Sequence, residues 1–343
     1  MNFASDNAYG ALPDILARLV EANNGAAASY GLDDITTRLS RRFAEIFEHE
    51  VFVYPVVTGT AANALALATL VPPYGAVLCH GESHIACDEC GAPEFFSHGA
   101  RLVTLEGADA KLEPQSVERA LSRFEKGSVH QQQPTAISIT QATERGTIYS
   151  QNDIAALSAV AHRRGLKLHM DGARFANALV TLGVSPADAS WRAGVDVLSF
   201  GATKNGALAA EAVLFFNRAD VADIEFRRKR AGHLLSKMRF VSAQLDAYLE
   251  GDRWLTAARS ANALAQKMAT GLASVDGAIL AHPVDANAVF LHLPDQTIAR
   301  LRAAGAAFHD WAPSENGKTL IRLVLSFATP PEAVDRFLAL ARG

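Results

Sequence analysis

The stretch "VDVLSFGATKNGALAAEAVLFF", residues 195–216, decides how the chain is interpreted. It contains two apolar runs, and between them a single lysine, Lys204, stands among small and polar residues. The plain interpretation is a solvated loop lysine without a chemical role. The other is a reactive amine at the carboxyl end of a strand, and the residues that the rest of the chain brings to that strand end decide between the two.

Apolar runs surround this stretch over residues 50–216 and alternate with segments of helical period. Several runs are apolar at consecutive positions, which indicates buried strands; the runs are "VFVYPVV", "AVLCH", "RLVTL", "AISIT", "LKLHMD", "VDVLSFG" and "AVLFF". Asn152 can cap one intervening helix, which puts Ile154, Leu157 and Ala161 on one face and ends near Gly165. This order predicts an α/β fold with a mostly parallel sheet flanked by helices on both faces.

The pattern changes after residue 220. A long basic helix candidate, "DIEFRRKRAGHLLSKMRF", precedes Ala-rich helices that run to about Gly271. The runs "AVFLHL" and "TLIRLVLSF", separated by the helical "DQTIARLRAAG", predict strands of a smaller layer. We expect an N-terminal arm or site-covering segment over 1–40, a large domain over 41–240 and a small C-terminal α/β domain over 241–343.

The composition is that of a globular protein. Apolar residues make up 49% and charged residues 20%, and 36 acids against 32 bases give a formal charge of -4. Nothing in this balance indicates a nucleic-acid or membrane partner. The N-terminus has no pattern of a secretory leader, and 3 cysteines argue against a disulfide framework, so we expect a cytoplasmic protein.

Three groups of polar residues follow predicted strands, where open parallel sheets bind their ligands. Thr58-Gly59-Thr60 opens a helix and offers N–H groups to a phosphate, although many such turns bind nothing. Asp171, three residues before Arg174, can equally be a helix cap or half of an ion pair. The third group contains Lys204. A lysine, a carboxylate and a phosphate cup at one sheet edge are what pyridoxal phosphate needs, so the sequence predicts this cofactor.

A metal site is the alternative for "CHGESHIACDECGAPEFF". His80, Glu82, Cys87 and Cys90 imitate the parts of a zinc deaminase site. No proline precedes the first cysteine, and four residues cannot supply the strand and helix that such a site spans. We therefore expect no metal; His84 in this segment can instead lie flat on a cofactor ring.

With these motifs the chain resembles the threonine aldolases, pyridoxal-phosphate enzymes of the aspartate-aminotransferase fold (fold type I), and in particular their low-specificity, phenylserine-aldolase-like branch. The resemblance extends from "FASDNA" to "TLIRLVLSF" and rests on "YGLDD", "TGTAAN", "SHIACDECGAPEFFSHGA", "HMDGARFANAL", "SFGATKNGALAAEAV" and "RKRAGHLLSKMRF". It implies retro-aldol cleavage of β-hydroxy-α-amino acids such as threonine, allo-threonine and phenylserine into glycine and an aldehyde. Another fold type I reaction is the alternative: transamination, β-elimination or hydroxymethyl transfer.

The resemblance also implies residue roles. Lys204 corresponds to the Schiff-base lysine, Asp171 to the partner of the ring nitrogen and His84 to the stacking imidazole. Gly59 and Thr60 correspond to the phosphate cup. The substrate carboxylate is assigned to a set of three residues: Ser5, Arg174 and Arg322.

Further roles concern the rim of the site and neighbouring subunits. His130 corresponds to a second active-site histidine near the β-hydroxyl, and Tyr30 to a tyrosine that lines the site. Arg239, and with it Lys229, corresponds to a residue that reaches the phosphate of a neighbouring subunit, although the sequence around Arg239 departs from the commoner Gly-Gly-Gly-Met-Arg pattern. The resemblance further implies a homotetramer, a dimer of dimers with shared sites.

Overall fold

The computed structural model describes all residues from 1 to 343. Its strands are β1 Phe52–Val56, β2 Gly75–His80, β3 Arg101–Leu105, β4 Gln133–Thr140, β5 Lys167–Gly172, β6 Val197–Gly201, β7 Glu211–Phe215, β8 Ile279–Leu280, β9 Ala288–Pro294, β10 His309–Asp310 and β11 Lys318–Val324. Its helices are α1 Pro13–Ala22, α2 Asp34–Phe47, α3 Gly59–Leu70, α4 His84–Cys87, α5 Ala92–Phe96, α6 Pro114–Leu121, α7 Gln151–Arg163, α8 Phe175–Leu182, α9 Ile224–Arg230, α10 Arg239–Leu249, α11 Arg253–Leu272, α12 Asp295–Ala303 and α13 Pro331–Arg342.

The large sheet has 7 strands in the order β1-β7-β6-β5-β4-β2-β3. All seven strands predicted for this part of the chain are confirmed. Only β7 runs antiparallel to its neighbours, β1 and β6, while the other pairs are parallel. Strands β2, β6 and β7 are buried along their whole length, because helices cover both faces of the sheet.

The helix before β5 begins earlier than the sequence predicts. Ser150, not Asn152, is the N-cap: its side chain accepts the N–H of Asp153, whose carboxylate accepts the N–H of Ser150 in return. This reciprocal pair satisfies two free donors at the helix end, which Asn152 cannot do from inside the first turn. The buried face of Ile154, Leu157 and Ala161 is confirmed.

The prediction of one long basic helix over residues 223–240 is wrong. Helix α9 ends at Arg230, and α10 begins only at Arg239. Gly232 lies between them at φ +79°, a left-handed conformation that a continuous helix excludes. The chain therefore turns at this glycine and enters α10 from a new direction.

The small sheet has 4 antiparallel strands in the order β10-β11-β9-β8. It packs against α11, α12 and α13 around a second hydrophobic core. The N-terminus joins this sheet, because the N–H of Phe3 donates to Ala307 and its carbonyl accepts from Val324, each at 2.8 Å. The ring of Phe3 is fully buried in that core.

The division into domains stays a prediction, and the packing bears on its boundaries. Helix α10 packs on α1 and α2 and belongs to the large core, as does α11 up to Ala258, whereas α11 from Leu264 onward belongs to the small core. These contacts favour a boundary inside α11 over one near residue 240. The segment 1–40 is more than an arm, because Phe3, Ile15 and Leu39 are core residues.

No helix of this fold combines the length and the apolar character that crossing a membrane requires.

Candidate active site

The carboxyl ends of the parallel strands surround a small cleft. Five residues predicted from the sequence line it: Gly59, His84, Asp171, Arg174 and Lys204. They meet because β1, β2, β5 and β6 run in the same direction and end at the same edge of the sheet. The other residues lining the cleft are Asn63, Thr140, Ala142, Glu144 and Ala173.

Lys204 lies in a short 3-10 turn, Thr203–Asn205, directly after β6. The small residues around it allow the chain to pack tightly: a Cβ at Gly201 would lie 2.7 Å from the backbone of Ala173, and Gly206 has φ +119°. The Lys204 amine has no hydrogen-bonded partner, and burial, with the positive charge of Arg174, lowers its pKa. A lysine in this state is a better nucleophile than a solvated one.

Asp171 is buried at the end of β5, and two donors fix its carboxylate. Oδ1 accepts the N–H of Ala173 at 2.9 Å, and Oδ2 accepts from Nδ2 of Asn63 at 2.8 Å. This carboxylate is therefore held rigidly on the floor of the cleft.

The same amide group connects Asp171 to His84. Asn63 Nδ2 also donates to Glu89 Oε1 at 2.8 Å, and this oxygen lies 2.9 Å from Nδ1 of His84. The hydrogen bond to Glu89 raises the pKa of His84, and burial raises the pKa of Glu89. Asn63 and Glu89, which the sequence analysis missed, thus orient two side chains of the cleft at once.

The N-terminus of α3 forms an anion cup. The side chain of Thr58 caps the helix by accepting the N–H of Ala61 at 3.1 Å. The N–H groups of Gly59 and Thr60 precede the first bond of the helix and remain available, and a Cβ at Gly59 would meet no atom within 4 Å. This open space above free donors suits a phosphate group. Gly59 lines the cleft and Thr60 follows it directly in the same turn.

Arg174 is held by Asp6, another residue that the sequence analysis missed. Its Nε and Nη2 donate to the two carboxylate oxygens of Asp6 at 2.8 and 3.0 Å, and Asn287 of the small sheet region donates to Asp6 at 3.1 Å. Burial opposes the ionisation of Asp6, but Arg174 outweighs it and lowers the pKa of the carboxyl. The N-terminal segment therefore reaches the cleft from the small sheet.

Arg322 and Ser5 do not line the cleft itself but lie next to this pair. Nη2 of Arg322 donates to the carbonyl of Ala4 at 3.3 Å, and its guanidinium lies 4.7 Å from the ring centre of Trp311. Burial and the charge of Arg174 lower the pKa of Arg322. The hydroxyl of Ser5 accepts the N–H of Asn7 at 3.1 Å, which starts the turn that carries Asp6. Ser5, Arg174 and Arg322 are thus brought together.

His130 is not brought to the cleft within this chain. It lies exposed in the loop before β4, whereas the cleft lies at the other end of that strand, beside Thr140. The length of β4 puts the two ends roughly 23 Å apart. The order of the predicted strands already indicates this, because a loop before a parallel strand lies at the amino edge of the sheet, opposite the cleft.

Tyr30 and Arg239 also lie apart from the residues that line the cleft. Tyr30 has φ +57°, its N–H donates to Ser236 at 3.0 Å, and Nζ of Lys229 lies 4.5 Å from its ring centre. Arg239 donates to the carbonyl of Gly25 at 3.2 Å. Tyr30, Lys229 and Arg239 therefore belong to one region in which the segment around residues 25–30 meets the turn between α9 and α10.

The zinc-like motif is spread over separate contacts. Glu82 forms an ion pair with Arg145, and all three cysteines are free thiols. No three side chains of the metal-binding types are grouped closely enough to hold an ion.

Comparison with known proteins finds relatives over nearly the whole chain. The sequence profile of the beta-eliminating lyase family matches residues 2–296. The low specificity L-threonine aldolase of Pseudomonas aeruginosa is 45% identical over 97% of this chain and 94% of its own. The threonine aldolase of Leishmania major superposes with a TM-score of 0.94 at 28% identity, covering 99% of this chain and 98% of that one. A serine palmitoyltransferase from Sphingomonas wittichii, 15% identical over 100% of this chain and 86% of its own with a TM-score of 0.72, shares the fold.

The mixed sheet and these neighbours confirm fold type I, and the chain belongs to the beta-eliminating lyase family, within its threonine aldolase branch.

Proposed function

We propose that this chain is a pyridoxal-phosphate-dependent aldolase that cleaves β-hydroxy-α-amino acids, among them threonine, allo-threonine and phenylserine, into glycine and an aldehyde. The observation that carries the proposal is the convergence of the unpaired Lys204 amine, the Asp171 carboxylate and the cup of α3 in one cleft. The extent of the likeness to low specificity L-threonine aldolases supports this choice over transamination or β-elimination on the same fold.

The residues of the cleft fit pyridoxal phosphate. Lys204 would bind its aldehyde, Asp171 would pair with its ring nitrogen, and the N–H groups of Gly59 and Thr60 would hold its phosphate. When bound, the cofactor draws electrons away from the α-carbon of the amino acid. The imidazole of His84, anchored through Glu89, would cover one face of the ring.

Arg174 and Arg322 bind the substrate carboxylate in this proposal, together with Ser5. Asp6 already occupies Nε and Nη2 of Arg174, so Nη1 remains for the substrate. Arg322 contributes a guanidinium whose Nε has no partner within the chain. Two fixed arginines orient the amino acid so that the bond to be broken keeps one direction relative to the cleft floor.

A proton must leave the β-hydroxyl during cleavage. Nδ1 of His84 is engaged with Glu89, which leaves Nε2 as the nitrogen that can accept a proton from the substrate or from a water molecule. His130 can take part only if another copy of the chain supplies it, because it lies at the far end of β4.

We further propose that the chain forms a homotetramer with shared sites. The cup of α3 offers backbone donors, and a doubly charged phosphate also calls for a cationic side chain at its rim. Arg239 and Lys229 are cations that do not line their own cleft, and a neighbouring copy can bring them to the cup.

Reconstitution with pyridoxal phosphate tests the proposal. We expect a yellow protein that loses its colour on borohydride reduction and carries the cofactor on Lys204, whereas Lys204→Ala should not bind it covalently. A protein that stays colourless after reconstitution would contradict the proposal. The matched control is Lys167→Ala, because Lys167 is paired with Asp196 and Asp220 away from the cleft.

A further inference from the structure

Glu144 lines the cleft and has no role in the reaction as described so far. It follows β4 in the loop that also contributes Ala142 to the lining. Its Oε1 accepts the backbone N–H of His84 at 2.9 Å, which places the carboxyl beside the residue that is proposed to cover the cofactor ring.

The second oxygen of Glu144 is unpaired. Oε2 is buried and makes no hydrogen bond of normal geometry within the chain, although the hydroxyl of Thr140, which also lines the cleft, is close enough to lower the pKa of Glu144. Leaving such an oxygen unsatisfied costs about 1–3 kcal/mol, so it calls for an explanation. A ligand bound in the cleft can supply the missing partner.

We propose that Glu144 is a further catalytic residue, whose Oε2 takes the proton of the β-hydroxyl, directly or through one water molecule. This inference rests on the proposed aldolase function and deepens it by naming a proton acceptor besides His84.

The electrostatic surroundings of Glu144 support the exchange of a proton. Burial, and after it the negative charge of Asp171, raises the pKa of Glu144 to about 7. The groups that face it from the neighbouring elements are Asp171, Arg174, Tyr149, Cys79 and Cys87. A carboxylate with this pKa is a much stronger base than an ordinary one and can still release its proton near neutral pH.

The O–H bond of the β-hydroxyl breaks, and its proton forms a new O–H bond with Oε2. The electron pair left on the oxygen becomes the second C–O bond of the aldehyde as the Cα–Cβ bond breaks, and the pair of that bond stays with the α-carbon. This carbon then takes up a proton, glycine leaves, and Glu144 returns its proton to water.

Glu144→Gln tests the inference, because glutamine is nearly isosteric and can still accept the N–H of His84 while it cannot take up a proton. We expect kcat for threonine cleavage to fall by ~100-fold. In the wild type we expect kcat/KM to rise with pH as Glu144 ionises, and in Glu144→Gln this rise should be lost. Glu94→Gln is the matched control, since Glu94 also has a buried, unpaired Oε2 but lies outside the cleft.

A second readout does not depend on activity. Burial raises the pKa of Glu211 to about 7 as well, so infrared titration of the holoenzyme without substrate should show two protonated carboxyls that ionise near neutral pH in the wild type and in Glu94→Gln. Only the signal of Glu211 should remain in Glu144→Gln, and the difference between the two spectra is the signal of Glu144. A Glu144→Gln variant with unchanged kcat and pH profile would overturn the inference, as would a Glu144 signal that is ionised at every pH. If the wild type itself cleaves no β-hydroxy amino acid, the proposed function fails, and that outcome is distinct from both.

Discussion

Asn63→Ala removes the amide that joins the two buried carboxylates below the cleft. Nδ2 of Asn63 donates to Asp171 and to Glu89, each at 2.8 Å, and both acceptors are 4% exposed. A hydrogen bond to a charged group contributes about 1.5–3 kcal/mol, so the loss of two should cost at least about 3 kcal/mol. For a chain of 343 residues, whose unfolding entropy is about 0.7 kcal/mol/K, such a loss lowers Tm by roughly 4 °C or more.

The loss of stability caused by Asn63→Ala should depend on pH. Burial already raises the pKa of Glu89 in the folded state, so ionised Glu89 opposes folding above its unfolded pKa, and losing a donor increases this effect. The Tm gap between wild type and Asn63→Ala should therefore be widest at pH values well above the raised pKa of Glu89 and should narrow as the pH falls through that pKa and Glu89 becomes protonated.

Scanning calorimetry of the protein at one scan rate measures this gap. Asn177→Ala is the matched control: Asn177 is as deeply buried, but its Nδ2 donates at 2.8 Å to the neutral side chain of Asn262, so its loss should cost only about 1–2 kcal/mol at every pH. Equal Tm losses in the two variants, with no pH dependence, would refute the reasoning that Asn63 holds two charged groups.

Two further predictions concern the substrate side of the cleft and the neighbouring copies. Asp6→Asn keeps one acceptor for Arg174 but loses the negative charge. We therefore expect KM for threonine to rise by about tenfold, with a smaller change in kcat. An unchanged KM in steady-state assays would mean that Asp6 does not position Arg174. Mixing inactive Lys204→Ala subunits with weakly active His130→Ala subunits under exchange conditions should restore activity. A mixed oligomer can form a site that combines Lys204 of one subunit with His130 of the other. No recovery in a mixture shown to exchange subunits would mean that His130 does not act in a neighbouring subunit's site.

The strands and the floor of the cleft are predictable from sequence because their causes are local. Runs such as "AVLCH" are apolar at consecutive positions only when both faces of the strand are covered, and the small residues around Lys204 match a tight turn. The direction of parallel strands then places Asp171, Gly59 and Lys204 at one edge without further information.

The site residues that sequence reasoning missed contact partners that are far away in the sequence. Asp6 meets Arg174 across 168 positions, and Glu144 meets His84 across 60, so no local pattern announces either contact. The prediction of one long helix over residues 223–240 failed for a local reason. The apolar and basic pattern continues past Gly232, but the helical backbone ends before this glycine. Motif matching alone did not place His130 correctly. A motif does not show at which edge of the sheet a residue lies, or whether the residue acts in the site of its own chain or of another copy.

Product stoichiometry tests the proposed function most directly. The reconstituted enzyme, given L-threonine and no keto acid, should release glycine and acetaldehyde in equal amounts, and Lys204→Ala should release neither. Turnover that requires an added keto acid, or threonine consumption that yields ammonia without glycine, would contradict the assignment as an aldolase.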